Sequence, residues 1–302
     1  MTTDSRTSAP FASIDATSSI GLVMLRVRLY ARRRLAWLSS HFVSSNGSLH
    51  DVRASEINRL LTDADDPLEE ARWIASNPDP DLNARIEYTD TLLTRDQDSR
   101  LAQLTRVFAL DSTDIDVLHV CLAAAADPSL GRLYAYLHDD ASRPTPTLTL
   151  AARLFGRGRS VNWSAENPLQ RWRMVTLNET LHGAHELASL TLDPAITTWL
   201  MGNDELDGHL LGHGRLITPF DPLPDWDIES AARFTAQALS DEPMRTVVLH
   251  MIAPPGSGRR TFAANICRQL GMPLLAIDAA AIPDHEWETT FIHAQRHAFL
   301  HR

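Results

Sequence analysis

The sequence predicts a mainly α-helical N-terminal region followed by the start of an α/β domain. Three observations support this prediction. Residues 100–155 carry apolar side chains at helical spacing between strong helix caps. The run at 171–177 alternates between polar and apolar residues, as a strand does. Residues 246–278 are arranged as a strand, a glycine-rich turn, a helix and a second strand, which is typical of a βαβ unit.

The composition is that of a globular chain long enough for about two domains. Its 302 residues are 44% hydrophobic and 22% charged. The formal net charge of −10 disfavours non-specific nucleic-acid binding, which depends on neutralising phosphates. All 28 residues counted as lysine or arginine are arginines. Cys121 and Cys267 lie far apart without metal-ligand spacing, which indicates reduced core thiols in a cytoplasmic protein.

The N-terminal end combines a low-complexity tail with a basic helix. Residues 1–19 are rich in serine, threonine and alanine, which predicts a disordered tail. A helix is expected over 20–43, with arginines at positions 26, 28, 32, 33 and 34. Its apolar part is too short and too charged to span a membrane. It either lies on a membrane or partner surface or, as we favour, packs into the protein with a solvated basic face.

The central block predicts a winged-helix-like part. Helices are expected over 54–61, 68–74, 100–108, 115–126, 130–137 and 148–155. Asp111 and Asp114 are suited to cap the fourth of these helices. The strand-like run at 171–177 then supplies a small wing. Acidic and basic side chains nearly balance over 100–159, which favours a protein-contact or structural role over DNA reading.

A proline-rich run divides the chain into its expected domains. Pro219, Pro222 and Pro224 indicate an ordered linker over 218–227. The N-terminal region therefore covers 20–217, and an incomplete P-loop domain covers 228–302. Within that domain we expect a helix over 228–239, a strand over 246–252, a loop over 253–258, a helix over 259–270 and a strand over 274–277. A last helix is expected from about 285 to 301.

The glycine-rich turn approximates a phosphate-binding loop. The P-loop template is Gly-x-x-x-x-Gly-Lys-Ser/Thr, whose amides wrap phosphates and whose hydroxyl ligates Mg²⁺. Ala253 replaces the first glycine, Arg259 the lysine and Arg260 the hydroxyl residue. Thr261 could supply the hydroxyl only if the helix start slips by one residue. The predicted ligand, ATP or ADP with or without Mg²⁺, would contact Pro254, Pro255, Gly256, Ser257, Gly258, Arg259, Arg260 and Thr261.

Other interpretations of these residues remain open. Residues 256–261 with Asp278 approximate a dinucleotide-binding fingerprint. The same loop could belong to a small-molecule kinase, or simply join a strand to a helix. No catalytic residue or metal ligand is assigned. The histidines at 285, 293, 297 and 301 are interpreted as exposed or core residues and not as metal ligands.

Several segments together resemble a known family. The block around Arg143-Pro144-Thr145, residues 192–202 and the loop at 254–261 are similar to bacterial AAA-type ATPases with an N-terminal winged-helix region. Some of these accompany phage-tail-like contractile injection particles. The resemblance implies a ring whose neighbours supply arginines, protein partners, and nucleotide contact with Arg259 in the lysine position. The chain lacks the later acidic motif, sensor and arginine finger, so the resemblance implies a truncated, degenerate member.

Two functions are therefore expected as alternatives. The first is nucleotide binding as part of an AAA-type ATPase that remodels or assembles protein complexes, with hydrolysis impaired. The second is a non-catalytic interaction module, in which the helical region docks a partner and the ATPase remnant is inert.

Overall fold

The chain forms two compact units that divide between Asn203 and Asp204. The computed structural model describes residues 18–41, 66–178, 187–240 and 247–301. The expected tail up to residue 17 and the helix over 54–61 lie outside the described residues. The division precedes the expected linker at 218–227, because residues 214–217 pair with a strand of the second unit.

The N-terminal unit contains helices and one two-stranded sheet. Its elements are α1 (Ser19–His41), α2 (Pro67–Ser76), α3 (Pro80–Arg95), α4 (Arg100–Val107), α5 (Ser112–Ala126), α6 (Leu130–Leu137), α7 (Leu148–Leu154), α8 (Pro168–Arg171), β1 (Val175–Asn178), β2 (Ser189–Leu192) and α9 (Pro194–Leu200). Among the described helices, none is both long and apolar enough to cross a lipid bilayer.

Local sequence signals set most of these boundaries. Asp111 and Asp114 form a complete capping box at the start of α5, as predicted. Thr147 caps α7 through a hydrogen bond from Leu150 N–H (3.0 Å), and Asp193 caps α9. Each N-cap residue places a side-chain oxygen where the free N–H groups of the first helical turn need an acceptor. The predicted helices of this block are thereby confirmed.

Helix α1 lies at the centre of this unit and packs against α3 and α5. Its Leu29 contacts Leu82 and Ile86 of α3, and its Trp37 ring lies 5.7 Å from that of Trp73. The prediction that α1 packs into the protein is confirmed. The predicted solvated basic face is present at Arg28 and Arg32, which are exposed, but the prediction is wrong for Arg34. Arg34 is buried and bonded to Glu70, because a carboxylate from another helix meets it inside the unit.

The wing is an antiparallel hairpin that follows α5, α6, α7 and the short helix α8. Val175 pairs with Leu192 and Asn178 with Ser189. Leu190 N–H donates to the carbonyl of Pro146 (2.8 Å), which ties β2 to the chain just before α7. Six of the seven residues of α7 are buried. Helix α7, the last helix before α8 and the wing, is therefore packed inside the N-terminal unit.

Compared with the N-terminal unit, the described part of the second unit has fewer elements. They are β3 (Gly214–Ile217), α10 (Ile228–Ser240), α11 (Arg259–Gln269), β4 (Leu274–Ile277) and α12 (Trp287–Leu300), with a 3₁₀ turn at Gly208–Leu210. Strands β3 and β4 pair antiparallel, with Gly214 opposite Ile277. Helices α10 and α11 pack through Ile228, Ala232 and Ile266.

The strand expected over 246–252 is wrong for its described part, residues 247–252, which form no strand. Every second residue of this run, Val247, Leu249 and Met251, lines an apolar cavity of about 310 Å³, although Leu249 is itself 40% exposed. Val248 and Ile252 do not line this cavity and are exposed. This alternation fits an extended chain, but β4 takes β3 as its antiparallel partner. The expected parallel βαβ unit is therefore not formed in the described residues, and only two small sheets are present.

A buried ion cluster joins the 3₁₀ turn to α12. The Asp207 carboxylate accepts from His293 Nδ1 (2.9 Å) and from an Arg296 NH group (2.6 Å). The ring centroids of His293 and His209 lie 4.1 Å apart, with the ring planes tilted by 37°. His297 is also buried, and burial lowers its pKa to about 4, with a further contribution from neighbouring His301. Two of the four histidines singled out in the sequence are thus core residues.

Candidate phosphate-binding site

The glycine-rich turn opens α11 as the sequence predicts. Gly256 and Gly258 have φ angles of +82° and +83°, in the left-handed region that favours glycine. Gly258 is the N-cap residue and supplies no side-chain hydrogen bond to the helix. The first N–H groups of α11 therefore have no side-chain cap, and they lie where the helix dipole attracts an anion.

Two positive charges follow this turn directly. Arg259 and Arg260 are both exposed. Within the described part of the chain, no carboxylate forms an ion pair with either guanidinium. Arginine offers a planar fork of donors that matches phosphate oxygens. The start of α11 therefore combines backbone donors with two uncompensated cationic side chains.

A cavity of about 280 Å³ lies beside this helix start. Arg260 lines it together with Arg215 of β3, His213 and Asp278. The Asp278 carboxylate accepts from the N–H of Ala280 (3.2 Å) in its own turn. The pairing of β3 with β4 brings Arg215 and Asp278 to the same place. The cavity thus has two arginines and one carboxylate among its lining residues.

The eight predicted contact residues form one continuous turn and helix start. The exposed residues among them are Pro254, Pro255, Gly256, Ser257, Arg259 and Arg260. Ser257 N–H donates to the Pro254 carbonyl (3.3 Å), which closes the turn. Thr261 is half-buried, and its carbonyl accepts from Asn265 (2.8 Å).

The helix begins at Arg259, so the register is not slipped by one residue. Arg260 therefore occupies the position where the P-loop template has its hydroxyl ligand. A guanidinium is a cation without a free acceptor and cannot ligate a metal ion. These residues fit a polyphosphate, but they do not fit the Mg²⁺ ion that the template holds.

Trp226 is a contact that sequence reasoning missed. Its indole lies over Gly258, and its ring centroid is 5.6 Å from that of Phe262 in an edge-to-face arrangement. The Asn265 side chain also donates to the carbonyl of Phe220 (2.9 Å). The run at 218–227 therefore packs on α11, next to the glycine turn. The available sequence signal was a tryptophan within the proline-rich run at 218–227, but this signal does not indicate which element the ring packs against.

The close approach of Trp226 makes Gly258 more sensitive than Gly256. A Cβ at Gly258 would lie 2.4 Å from Trp226 Cη2, whereas a Cβ at Gly256 would meet nothing within 4 Å. Both alanine variants incur a left-handed backbone cost of about 1 kcal/mol. Gly258→Ala also forces the indole to move, which adds about 1 to 3 kcal/mol. Thermal unfolding of the two variants should show the larger loss for Gly258→Ala.

A Trp226→Ala background provides the control for this comparison. There the excess cost of Gly258→Ala over Gly256→Ala should largely disappear, because the clashing atoms are gone. Equal losses for the two glycine variants in the native background would contradict the placement of the indole.

Helices α5, α6 and α7 followed by the β1–β2 hairpin define a winged-helix protein, and the second unit adds a glycine-rich turn at a helix start. The family model described as "Winged helix domain, variant" matches residues 26–213. This match covers more than half of the chain, so the chain belongs to that family. No curated protein and no solved structure matches it. The predicted winged-helix region is confirmed, while the likeness to AAA-type ATPases stays a prediction.

Proposed function

We propose that the chain binds ATP or ADP through the turn and helix start at residues 254–261. The observation that carries this proposal is the start of α11. Gly256 and Gly258 precede it in the left-handed conformation, and no side chain caps its first N–H groups. Its first two residues, Arg259 and Arg260, are exposed arginines without a carboxylate partner among the described residues. Left-handed glycines allow backbone N–H groups to converge on an anion. The arginines add charge-assisted hydrogen bonds to the same phosphates.

Binding is proposed here without efficient hydrolysis. Hydrolysis by P-loop proteins relies on Mg²⁺ held by a hydroxyl beside the lysine and on an acidic strand end. Arg260 stands at the hydroxyl position. Asp278 directly follows β4, but that strand is the one straight after the loop helix and it pairs with β3. No catalytic role is therefore assigned to a residue of this chain.

We place this binding within an AAA-type ATPase that remodels or assembles protein complexes. The resemblance of residues 143–145, 192–202 and 254–261 to that family supports this context. The expected partners are proteins, either ring neighbours or a remodelled complex. The burial of α7 supports protein partners over DNA, because a helix that reads the major groove must expose its face.

A second candidate function is a non-catalytic interaction module. Burial of α7 also favours this alternative, since it leaves the N-terminal unit as a structural or protein-contact domain. A chain ending at Asn203 preserves that unit, whereas one ending at residue 217 would carry β3 without its partner β4. The alternative predicts that the shorter chain keeps the partner contacts of the full chain. Loss of those contacts would contradict it.

A nucleotide titration tests the main proposal. Fluorescent ATP and ADP analogues should bind the full chain saturably. The Arg259→Ala/Arg260→Ala variant should bind about 10- to 100-fold more weakly, because it loses charge-assisted hydrogen bonds to phosphate. Anisotropy at fixed ionic strength measures this change.

The matched control is Arg233→Ala/Arg268→Ala, which removes two other exposed arginines. Arg268 lies near the far end of α11, and Arg233 lies on α10. This variant has the same net charge as the test variant, so it should bind as the native chain does. Equal weakening in both variants would indicate a general charge effect and contradict a specific site. Absence of saturable binding to the native chain would reject the proposal.

A further inference from the structure

The identity of Arg260 has a consequence for the metal requirement of this site. In the P-loop template, a lysine and a bound Mg²⁺ together balance the phosphate charge. Here the corresponding helix start presents Arg259 and Arg260, and Arg215 of β3 lines the cavity into which Arg260 faces. Three guanidinium groups carry the same formal charge as one lysine and one divalent cation. The three arginines can therefore supply the positive charge that the template obtains partly from a metal ion.

The arginines available for this role are not engaged by carboxylates elsewhere. Arg215, Arg259 and Arg260 are all exposed, and no ion pair links them to a carboxylate among the described residues. Asp278 is the acidic residue that lines the cavity, and its carboxylate accepts the N–H of Ala280. One carboxylate is a poor Mg²⁺ site when two guanidinium groups line the same cavity, because they repel the incoming cation.

We infer that this site binds nucleotide in its metal-free form, with Arg260 and Arg215 taking the place of Mg²⁺. The inference rests on the proposed function and specifies the chemical form of its ligand. A nucleotide without its metal is more negative than its Mg²⁺ complex. Three arginines therefore favour the free anion, and Mg²⁺ competes with them for the same phosphate oxygens.

The test is calorimetric titration of ADP and ATP into the full chain, once with excess EDTA and once with excess Mg²⁺ at matched ionic strength. Affinity in EDTA should equal or exceed affinity in Mg²⁺. Binding that is about 10-fold or more weaker in EDTA would overturn the inference while leaving the proposed function intact. Absence of binding under both conditions would overturn the proposed function, and this inference with it.

Variants at position 260 separate the role of the arginine from general charge. Arg260→Ser restores the template hydroxyl and should bind metal-free nucleotide about 10-fold more weakly while gaining a Mg²⁺-dependent increase. Arg260→Ala should lose the same affinity without gaining a response to Mg²⁺. Arg215→Ala should also weaken metal-free binding, whereas Arg268→Ala should not. Native-like affinity of Arg260→Ser and Arg260→Ala in EDTA would overturn the assignment.

Discussion

Replacing Arg26 with alanine is expected to destabilise the N-terminal unit by about 3 to 5 kcal/mol. Arg26 Nε donates to Asp90 (2.7 Å), and its NH1 donates to Asp116 (2.8 Å). Its guanidinium also lies over the Phe155 ring, 4.2 Å from the centroid. The Asp116 side chain is 1% exposed, so the variant leaves a buried carboxylate with Arg157 as its remaining ion-pair partner. Loss of one partner from a buried charge network costs far more than loss of a surface pair.

Denaturant unfolding followed by tryptophan fluorescence measures this effect. Tryptophans 37, 73, 163, 172 and 199 lie in the N-terminal unit, and two others lie in the second unit. Arg28→Ala is the control on the same helix, because the Arg28 side chain is 47% exposed and pairs with Asp127 at the surface. It should cost less than about 1 kcal/mol.

A second change tests the physical cause. Adding Asp116→Asn to Arg26→Ala should recover part of the loss, since it removes the charge of a buried carboxylate that has lost one of its two arginine partners. Similar losses for Arg26→Ala and Arg28→Ala would show that the buried network contributes no more than a surface pair.

Replacing Asp207 with alanine is expected to destabilise the second unit by about 3 to 5 kcal/mol. Asp207, His293 and Arg296 are 3%, 2% and 1% exposed, respectively. One carboxylate oxygen accepts from both partners on α12, and the other accepts from the N–H of His209 (3.0 Å). The alanine variant removes the carboxylate that balances the buried Arg296 guanidinium. It also unlinks the 3₁₀ turn from α12.

The same cluster makes the stability of the second unit depend on pH. Burial acts to raise the pKa of Asp207, but the His293 hydrogen bond, the Arg296 charge and the His209 N–H together hold that pKa well below its usual range. A depressed carboxyl pKa stabilises the folded state above the unfolded value of about 4. That stabilisation is lost progressively as the pH falls below this value.

Thermal melts between pH 3 and pH 7 measure both the stabilisation by Asp207 and its dependence on pH. The difference in stability between the native chain and Asp207→Asn should be largest near neutral pH and should shrink in acid. Asp204→Asn is the control, because its side chain is 59% exposed and lies 3.6 Å from His301. It should have a small effect throughout. If the difference in stability between the native chain and Asp207→Asn does not change with pH, the assigned ion cluster is contradicted.

Local signals predicted the helices well because their causes lie within a few residues of sequence. The capping box at Asp111 and Asp114 defines the start of α5 without help from the rest of the chain. The order of short helices and a strand-like run then predicted the winged-helix region that the family match confirms. Strand pairing was less predictable. The apolar run before the glycine turn could not show that β4 would pair with β3 and leave residues 247–252 outside a sheet.

The basic helix α1 illustrates the same limit for charges. Its arginines are identical in charge, and nothing in the neighbouring sequence distinguishes the buried Arg34 from the exposed Arg32. The distinction arises because Glu70 meets Arg34 from another helix. Asp90 and Asp116, which bind Arg26, are 64 and 90 residues away in sequence. Sequence periodicity carries no information about such partners.

By itself the sequence determined the glycine turn, the helix that follows it and the two arginines at the template positions. These features depend on residue type and short-range spacing, since backbone conformation is set locally by glycine and by helix capping. Only the tertiary structure decided that Trp226 covers Gly258 and that Arg215 joins Arg260 at one cavity. These contacts join residues more than thirty positions apart, and they form because chain folding and strand pairing bring them together in space.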